Sequence, residues 1–172
     1  MKKNNKGILF WVTGLSGSGK TELSKKIYSQ ITKNYGPTIL FSGDDIRRIF
    51  KLKGYSSKDR HETAMKYCKL AKFIVAQNIN VLFAVIGMVD NVRDWNRKNI
   101  TNYVEIYIKS DLKKIISKKK KRIYHNKKKN IVGLDIKPEF PKKPDIVLVN
   151  NFKKDMGQYS KELILKIKKH LK

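Results

Sequence analysis

Ile8-Leu9-Phe10-Trp11-Val12-Thr13-Gly14-Leu15-Ser16-Gly17-Ser18-Gly19-Lys20-Thr21 is the stretch around which the whole chain is organised. Its first five residues are an uninterrupted apolar run, which predicts a buried strand. The run breaks into Gly14-Leu15-Ser16-Gly17-Ser18-Gly19-Lys20-Thr21, which fits G-x-x-x-x-G-K-[ST] at every fixed position. Glycines let a backbone wrap an anion and turn consecutive N–H groups inward. Lys20 supplies a mobile cation for the outer phosphates, and the Thr21 hydroxyl suits a Mg²⁺ ion. A helix predicted from Glu22 to Lys33 points its positive end at the same anion. A Gly/Ser turn that merely precedes a lysine explains neither the strand before it nor the helix after it. The stretch predicts a nucleoside-triphosphate site.

Working outward, Tyr35-Gly36-Pro37 reads as a turn and Thr38–Phe41 as a second strand. Gly54–Arg60 reads as a loop and N-cap leading into a helix that ends near Gln77, with Ala64, Cys68, Ala71 and Val75 at helical spacing. Val81–Ile86 is continuous and apolar, as a buried parallel strand should be. Val89–Asn99 reads as helix, and Tyr103–Ile108 as an alternating fourth strand. Asp111 is expected to cap a helix to Lys121. Arg122–Pro144 is basic, punctuated by proline and weakly periodic, so a lid is expected there. Asp145–Val149 gives a fifth strand and Ser160–Leu171 a closing amphipathic helix. Five strands alternating with helices predict an α/β fold, a five-stranded parallel sheet with helices on both faces. With neither repeat nor linker, residues 1–172 are expected to form a single domain.

Composition narrows the function classes. No apolar run approaches the roughly 18 residues of a membrane span, and the N-terminus lacks a signal-peptide hydrophobic region. A cytoplasmic protein with no membrane partner is the expectation. Cys68 is the lone cysteine, which excludes a disulfide framework and a thiolate metal cluster. The formal charge of +26 invites a nucleic-acid reading. Only six of the 40 basic residues are arginine, however, and lysines occur throughout the chain. That distribution points to a solvated basic surface attractive to small phosphorylated molecules, with no specific nucleic acid expected as partner. A non-catalytic nucleotide- or RNA-binding protein is the competing class, and an intact Lys20, Thr21 and Asp44 speak against it.

Phosphoryl transfer also needs a positioned acceptor, a carboxylate beside it and cations over the migrating charge. The end of the second strand, Ser42-Gly43-Asp44-Asp45-Ile46-Arg47-Arg48, supplies candidates. Asp44 can hold the metal's water shell or accept the acceptor's proton, with Asp45 as its alternate. Arg47 and Arg60 can clamp an anionic acceptor in bidentate fashion. The competing explanation is an ordinary helix N-cap with acidic residues in the first turn.

Together these residues resemble the adenylylsulfate kinase family, whose members phosphorylate the ribose 3′-hydroxyl of adenosine 5′-phosphosulfate with MgATP. The similarity runs from about Gly7 to Asn150. Gly14–Thr21 looks like the family's phosphate loop, Ser42–Arg47 like its D-G-D-N-[VI]-R, and Gly54–Arg60 like its G-[FY]-S-x-x-D-R. Gly133–Pro141 is similar to G-[IL]-D-x-P-Y-E-x-P. The resemblance implies a P-loop NTPase fold, ATP and Mg²⁺ as cofactors, a mobile lid, a small-molecule nucleotide acceptor and a homodimer. It also implies Lys20 and Asp44 as catalytic residues and Thr21 and Asp44 at the metal. Arg47, Tyr55, Arg60 and the lid positions Ile131 and Val132 are the implied acceptor contacts.

The departures fall on the acceptor side. Ser42 and Asp45 replace Asp and Asn of the family motif, and Thr63 replaces its Asn. Ala84-Val85-Ile86-Gly87-Met88-Val89 stands where the family has S-x-[IV]-S-P-[FY]. Asn130-Ile131-Val132-Gly133 stands where the family has N-F-T-G, so an aliphatic residue is expected opposite the Tyr55 ring. Losing one stacking partner removes about 1–3 kcal/mol of base contact. Such changes resemble a paralogous branch, active in bacterial capsule biosynthesis, that phosphorylates the 3′-hydroxyl of a cytidine nucleotide bearing a phosphoramidate in place of sulfate. That acceptor is expected first, and adenosine 5′-phosphosulfate second.

Overall fold

Strand β1 (Leu9–Thr13) lies at the centre of a five-stranded sheet whose order is β2-β3-β1-β4-β5 and whose neighbours all pair in parallel. The computed structural model describes residues 7–118 and 130–172. The other strands are β2 (Thr38–Ser42), β3 (Asn80–Ala84), β4 (Tyr103–Lys109) and β5 (Ile146–Val149). Helices cover both faces. Leu23, Ile27 and Ile31 of α1 (Lys20–Tyr35) and Leu163 and Ile167 of α6 (Met156–His170) bury Phe10, Val12, Leu82 and Ile106 on one side. Cys68, Ala71 and Val75 of α3 (Ser57–Val75) and Val92 of α4 (Asp90–Asn99) bury Leu9, Trp11, Val81 and Phe83 on the other. The α/β sheet expected from the sequence is the one observed. Among the described residues no helix is long and apolar enough to cross a membrane.

Several elements differ from the sequence expectation for local reasons. Strand β3 stops at Ala84 because the chain leaves the ladder there: the Ile86 carbonyl accepts from the Thr13 hydroxyl and from Gly14 N–H (3.4 Å). Strand β4 does not alternate, since its first six side chains are all buried. Helix α6 begins four residues before Ser160, where Asp155 and Gln158 form a reciprocal capping box. A short helix, α2 (Gly43–Ile49), follows β2 directly and has Ser42 as its N-cap. Helix α5 (Leu112–Ser117) is capped by Asp111, which accepts from Lys114 N–H at 2.9 Å. Its expected continuation to Lys121 and the lid positions 122–129 lie outside the described residues.

The N-terminal edge of the sheet is locked by one buried amide. Asn80 accepts from Ile8 N–H at 2.8 Å and donates to the Tyr35 carbonyl at 2.9 Å, joining the entry of β1 to the end of α1. Removing a buried partner leaves both backbone groups unsatisfied. Asn80→Ala is therefore expected to lower the unfolding free energy by about 1–3 kcal/mol. In urea denaturation this appears as a lower midpoint with an unchanged slope.

Candidate active site

The C-terminal ends of β1, β2 and β3 open into a cleft of about 650 Å³. Its phosphate-loop wall is formed by Ser16, Gly17, Gly19, Lys20 and Thr21. The loop keeps its shape through its neighbours. Gly19 takes φ +92°, and a Cβ there would sit 2.8 Å from Met156 Cε and 3.2 Å from Asn150 Nδ2. Asn150, itself buried, donates to the Ser18 carbonyl at 2.9 Å. The Lys20 ammonium lies inside the loop and donates to the Leu15 carbonyl at 2.6 Å. Leu15 and Ser18 are buried and shape the loop from beneath, whereas the Thr21 side chain is exposed on the cleft. This donor set fits a triphosphate with its magnesium ion. Among the described residues no three His, Cys, Asp or Glu side chains cluster as a metal site. An ion here would be held by Thr21 and by phosphate oxygens, in keeping with the few protein ligands magnesium needs.

Helix α2 separates the two aspartates. Asp44 is exposed on the cleft. Asp45 turns back to the cap, where its backbone N–H donates to Ser42 Oγ at 3.1 Å, its carboxylate accepts from the Ser42 hydroxyl at 2.7 Å, and Arg48 pairs with it at 3.0 Å. Of the two aspartates the sequence offered, Asp45 is engaged with the cap and Asp44 faces the cleft. Tyr67 secures the turn by donating to the Gly43 carbonyl at 3.0 Å. Burial pushes its hydroxyl up to about 12, which keeps that donor proton in place.

Arg47, Tyr55 and Arg60 meet at the far end of the cleft. The guanidinium carbon of Arg47 lies 4.6 Å from the Tyr55 ring centroid and that of Arg60 lies 5.3 Å from it. Arg47 also donates to the Gly54 carbonyl at 3.0 Å, and Arg60 to the carbonyls of Tyr55 (3.0 Å) and Asn130 (2.8 Å). Both arginines thus stand at the cleft with part of their donor fork holding backbone.

The lid expectation requires one correction. Val132 lines the cleft, but Ile131 does not: it is 4% exposed and its side chain is turned into the protein. The cause is a tight turn centred on Ile131. Its N–H donates to Asp135 Oδ2 at 2.8 Å, and its carbonyl accepts from the N–H groups of Leu134, Asp135 and Ile136. Ile131 is therefore no wall opposite Tyr55.

Cleft residues to which the sequence reading gave no site role include Trp11 on the floor, His61 and Tyr67 on α3, and Lys137 and Glu139 beyond the turn. For His61 a signal existed, because Ser57, Arg60, His61 and Ala64 follow the i, i+3, i+4, i+7 spacing of one helix face. Trp11 read as core from its apolar surroundings, and it is indeed fully buried. Cys68 is buried as expected, and burial pushes its thiol up to about 12, far from a reactive thiolate.

Residues 6–149 match the family described as Adenylylsulphate kinase. The chain belongs to that family. It is 37% identical over 168 residues to the cytidine diphosphoramidate kinase of Campylobacter jejuni, covering 95% of this chain and 97% of that one. It is 32% identical over 155 residues to the adenylyl-sulfate kinase of Bacillus velezensis, covering 86% and 78% respectively. In fold it is similar to the Mycobacterium tuberculosis APS kinase in complex with AMPPNP and APS, with a TM-score of 0.83, 22% identity and coverage of 95% and 98%. The chain is a kinase of the adenylylsulphate kinase family with the fold its phosphate loop foretold.

The exit of β3 shows how a family position was rebuilt. Gly87, where the family motif has serine, takes φ +52°, and a Cβ would lie 2.9 Å from Trp11 Nε1 and 3.0 Å from Val85 Cγ2. Restoring the serine therefore strains the turn. Gly87→Ser is expected to cost about 1–3 kcal/mol of stability, measured by urea denaturation. An unchanged or higher midpoint would contradict the geometry.

Proposed function

We propose that this kinase transfers the γ-phosphoryl group of ATP to the ribose 3′-hydroxyl of a modified nucleotide, cytidine diphosphoramidate ahead of adenosine 5′-phosphosulfate. The observation that carries the choice is the lid side of the cleft. Asn130, Val132, Ile136, Lys137 and Glu139 line it, so among the described residues no lid aromatic faces Tyr55. A base stacked on the Tyr55 ring alone loses part of the stacking that a large purine gains between two rings. The similarity over 95% of the chain to a cytidine diphosphoramidate kinase supports the same acceptor.

The residues then divide the work. The loop from Ser16 to Thr21 grips the donor phosphates, and Lys20 balances charge on the migrating group. Thr21, with Asp44 through the water shell, would hold Mg²⁺, which neutralises the phosphate oxygens when bound. Asp44 receives the proton of the acceptor hydroxyl. The hydroxyl oxygen bonds to the γ-phosphorus as the bond to the bridging oxygen breaks, and ADP is the leaving group. Arg47 and Arg60 orient the acceptor's phosphoryl end.

Two measurements test this. Asp44→Asn is expected to lower turnover by roughly 10²–10⁴, whereas Asp45→Asn stays within a few-fold, because the Ser42 cap needs only the backbone N–H of Asp45 and an amide oxygen still accepts from the Ser42 hydroxyl. The reverse ranking at saturating MgATP would remove Asp44 from its role. With the unmodified protein, kcat/KM for cytidine diphosphoramidate should exceed that for adenosine 5′-phosphosulfate by about 10–200-fold, the range that 1–3 kcal/mol supplies. A tenfold preference for adenosine 5′-phosphosulfate would overturn the acceptor assignment.

A further inference from the structure

Arg93 is 4% exposed and does not line the cleft, yet its bonds end on the segments that do. Its Nη1 donates to the Gly87 carbonyl at 2.7 Å, and its Nη2 to the Glu139 carbonyl at 2.8 Å and to the Asp90 carboxylate. Its Nε pairs with Glu105 Oε1 at 3.2 Å. Gly87 begins the turn of Met88 and Val89, Glu139 closes the arm of Ile136 and Lys137, and both segments line the cleft. The two segments also bond each other: Glu139 N–H donates to the Met88 carbonyl at 3.1 Å, and the Glu139 carboxylate accepts from Asp90 N–H at the start of α4.

Neutralising the buried Glu105 does not by itself account for Arg93. Arg97 already pairs with Glu105 Oε2 at 3.0 Å and extends to Asp145 at 3.1 Å. A guanidinium is a rigid fork of five N–H donors. With Nε held by charge against the Glu105 carboxylate of β4, the outer nitrogens reach two backbone segments far apart in sequence.

Building on the kinase reading above, we infer that Arg93 is a positioning residue: it uses the buried Glu105 as a fixed anchor to set the spacing between the Gly87 turn and the Ile136–Glu139 arm, and so shapes the acceptor end of the cleft. None of these bonds ends on the phosphate loop, whose own tie to this region is the neighbouring Ile86 carbonyl.

Arg93→Lys tests this, since it keeps a charge opposite Glu105 but cannot bridge two carbonyls. Hydrogen–deuterium exchange on the unliganded protein reads the wall directly. Peptides spanning Ile136–Pro141 and Gly87–Asp90 should take up deuterium at least tenfold faster in the variant, with phosphate-loop peptides unchanged. In kinetics with cytidine diphosphoramidate the acceptor KM should rise about tenfold, while the ATP KM stays within twofold. Asp90→Asn, altered at the exposed end of the network, keeps the Arg93–Glu105 pair and so folds without a buried charge left alone. It should shift both readouts the same way by about threefold. Unchanged exchange in both variants, or equal rises in the two KM values, would overturn the inference. If the protein phosphorylates neither nucleotide, the function assignment fails, and the exchange comparison still decides whether Arg93 positions the wall.

Discussion

All five side chains of β1 are wholly buried, and the rest of the molecule follows from that constraint. A central strand clad by helices on both faces has no surface on which to present chemistry along its length. Its polar function is confined to the point where it exits the sheet. There the backbone must supply the donors, because N–H groups are all that such a strand can deliver to a ligand. The glycine-rich turn after Thr13 does this, and its neighbours exist to hold it open. Asn150 fixes the Ser18 carbonyl, Met156 packs against Gly19, and the Ile86 carbonyl takes both Thr13 Oγ1 and Gly14 N–H. The early end of β3 serves the same purpose, since Ile86 is withdrawn from the ladder to support the loop.

What the chain displayed in its sequence was the part specified by neighbours in the chain. The phosphate loop, the buried strands and the Ser56–Asp59 cap of α3 all depend on residues within a few positions of each other. The misreadings depend on partners farther off. Strand β4 reads as alternating because Tyr103, Glu105 and Tyr107 each carry a polar atom. They lie inside because Glu105 meets two arginines of α4 and the tyrosine rings find core contacts. Burial raises the Glu105 carboxyl, while the Arg97 hydrogen bond and both guanidinium charges pull it back down. Ile131 failed for a related reason. A motif position implies a side chain's direction only if the backbone turn is preserved, and the turn tied by Asp135 sends this one inward.

The two ends of the cleft are built by different means. At the donor end the loop offers backbone N–H groups with the side chains of Lys20 and Thr21, all from one short stretch of chain. At the acceptor end the contacts come from side chains on four separate elements: α2, α3, the β3 exit and the arm beyond the Ile131 turn. The hydrogen bonds of Asp45, Arg47 and Tyr67 and those of the Ile131 turn end outside the phosphate loop, whereas the β3 exit also supports it through the Ile86 carbonyl. That partial independence lets a family keep one phosphoryl donor while its acceptors diverge. It also explains why the departures from the family pattern at Thr63, Ala84, Gly87 and Ile131 all lie away from Gly14–Thr21.

Charge places a last restriction on what the cleft receives. The chain carries +26 overall. Yet among the described residues the cleft sets Glu22, Asp44 and Glu139 against Lys20, Arg47, Arg60 and Lys137, four cations to three carboxylates. A groove evolved for a polyanion would concentrate cations and exclude carboxylates, because each carboxylate repels phosphate. Here the carboxylates sit among the cations. That suits a ligand bringing a metal ion and a hydroxyl proton along with its phosphates, since both need an acidic neighbour. The lysine-rich exterior draws phosphorylated molecules toward the protein through its long-range field. On the proposed reading, selection among them falls to the acceptor end, where Tyr55, Arg47, Arg60 and the wall tied by Arg93 face the incoming nucleotide.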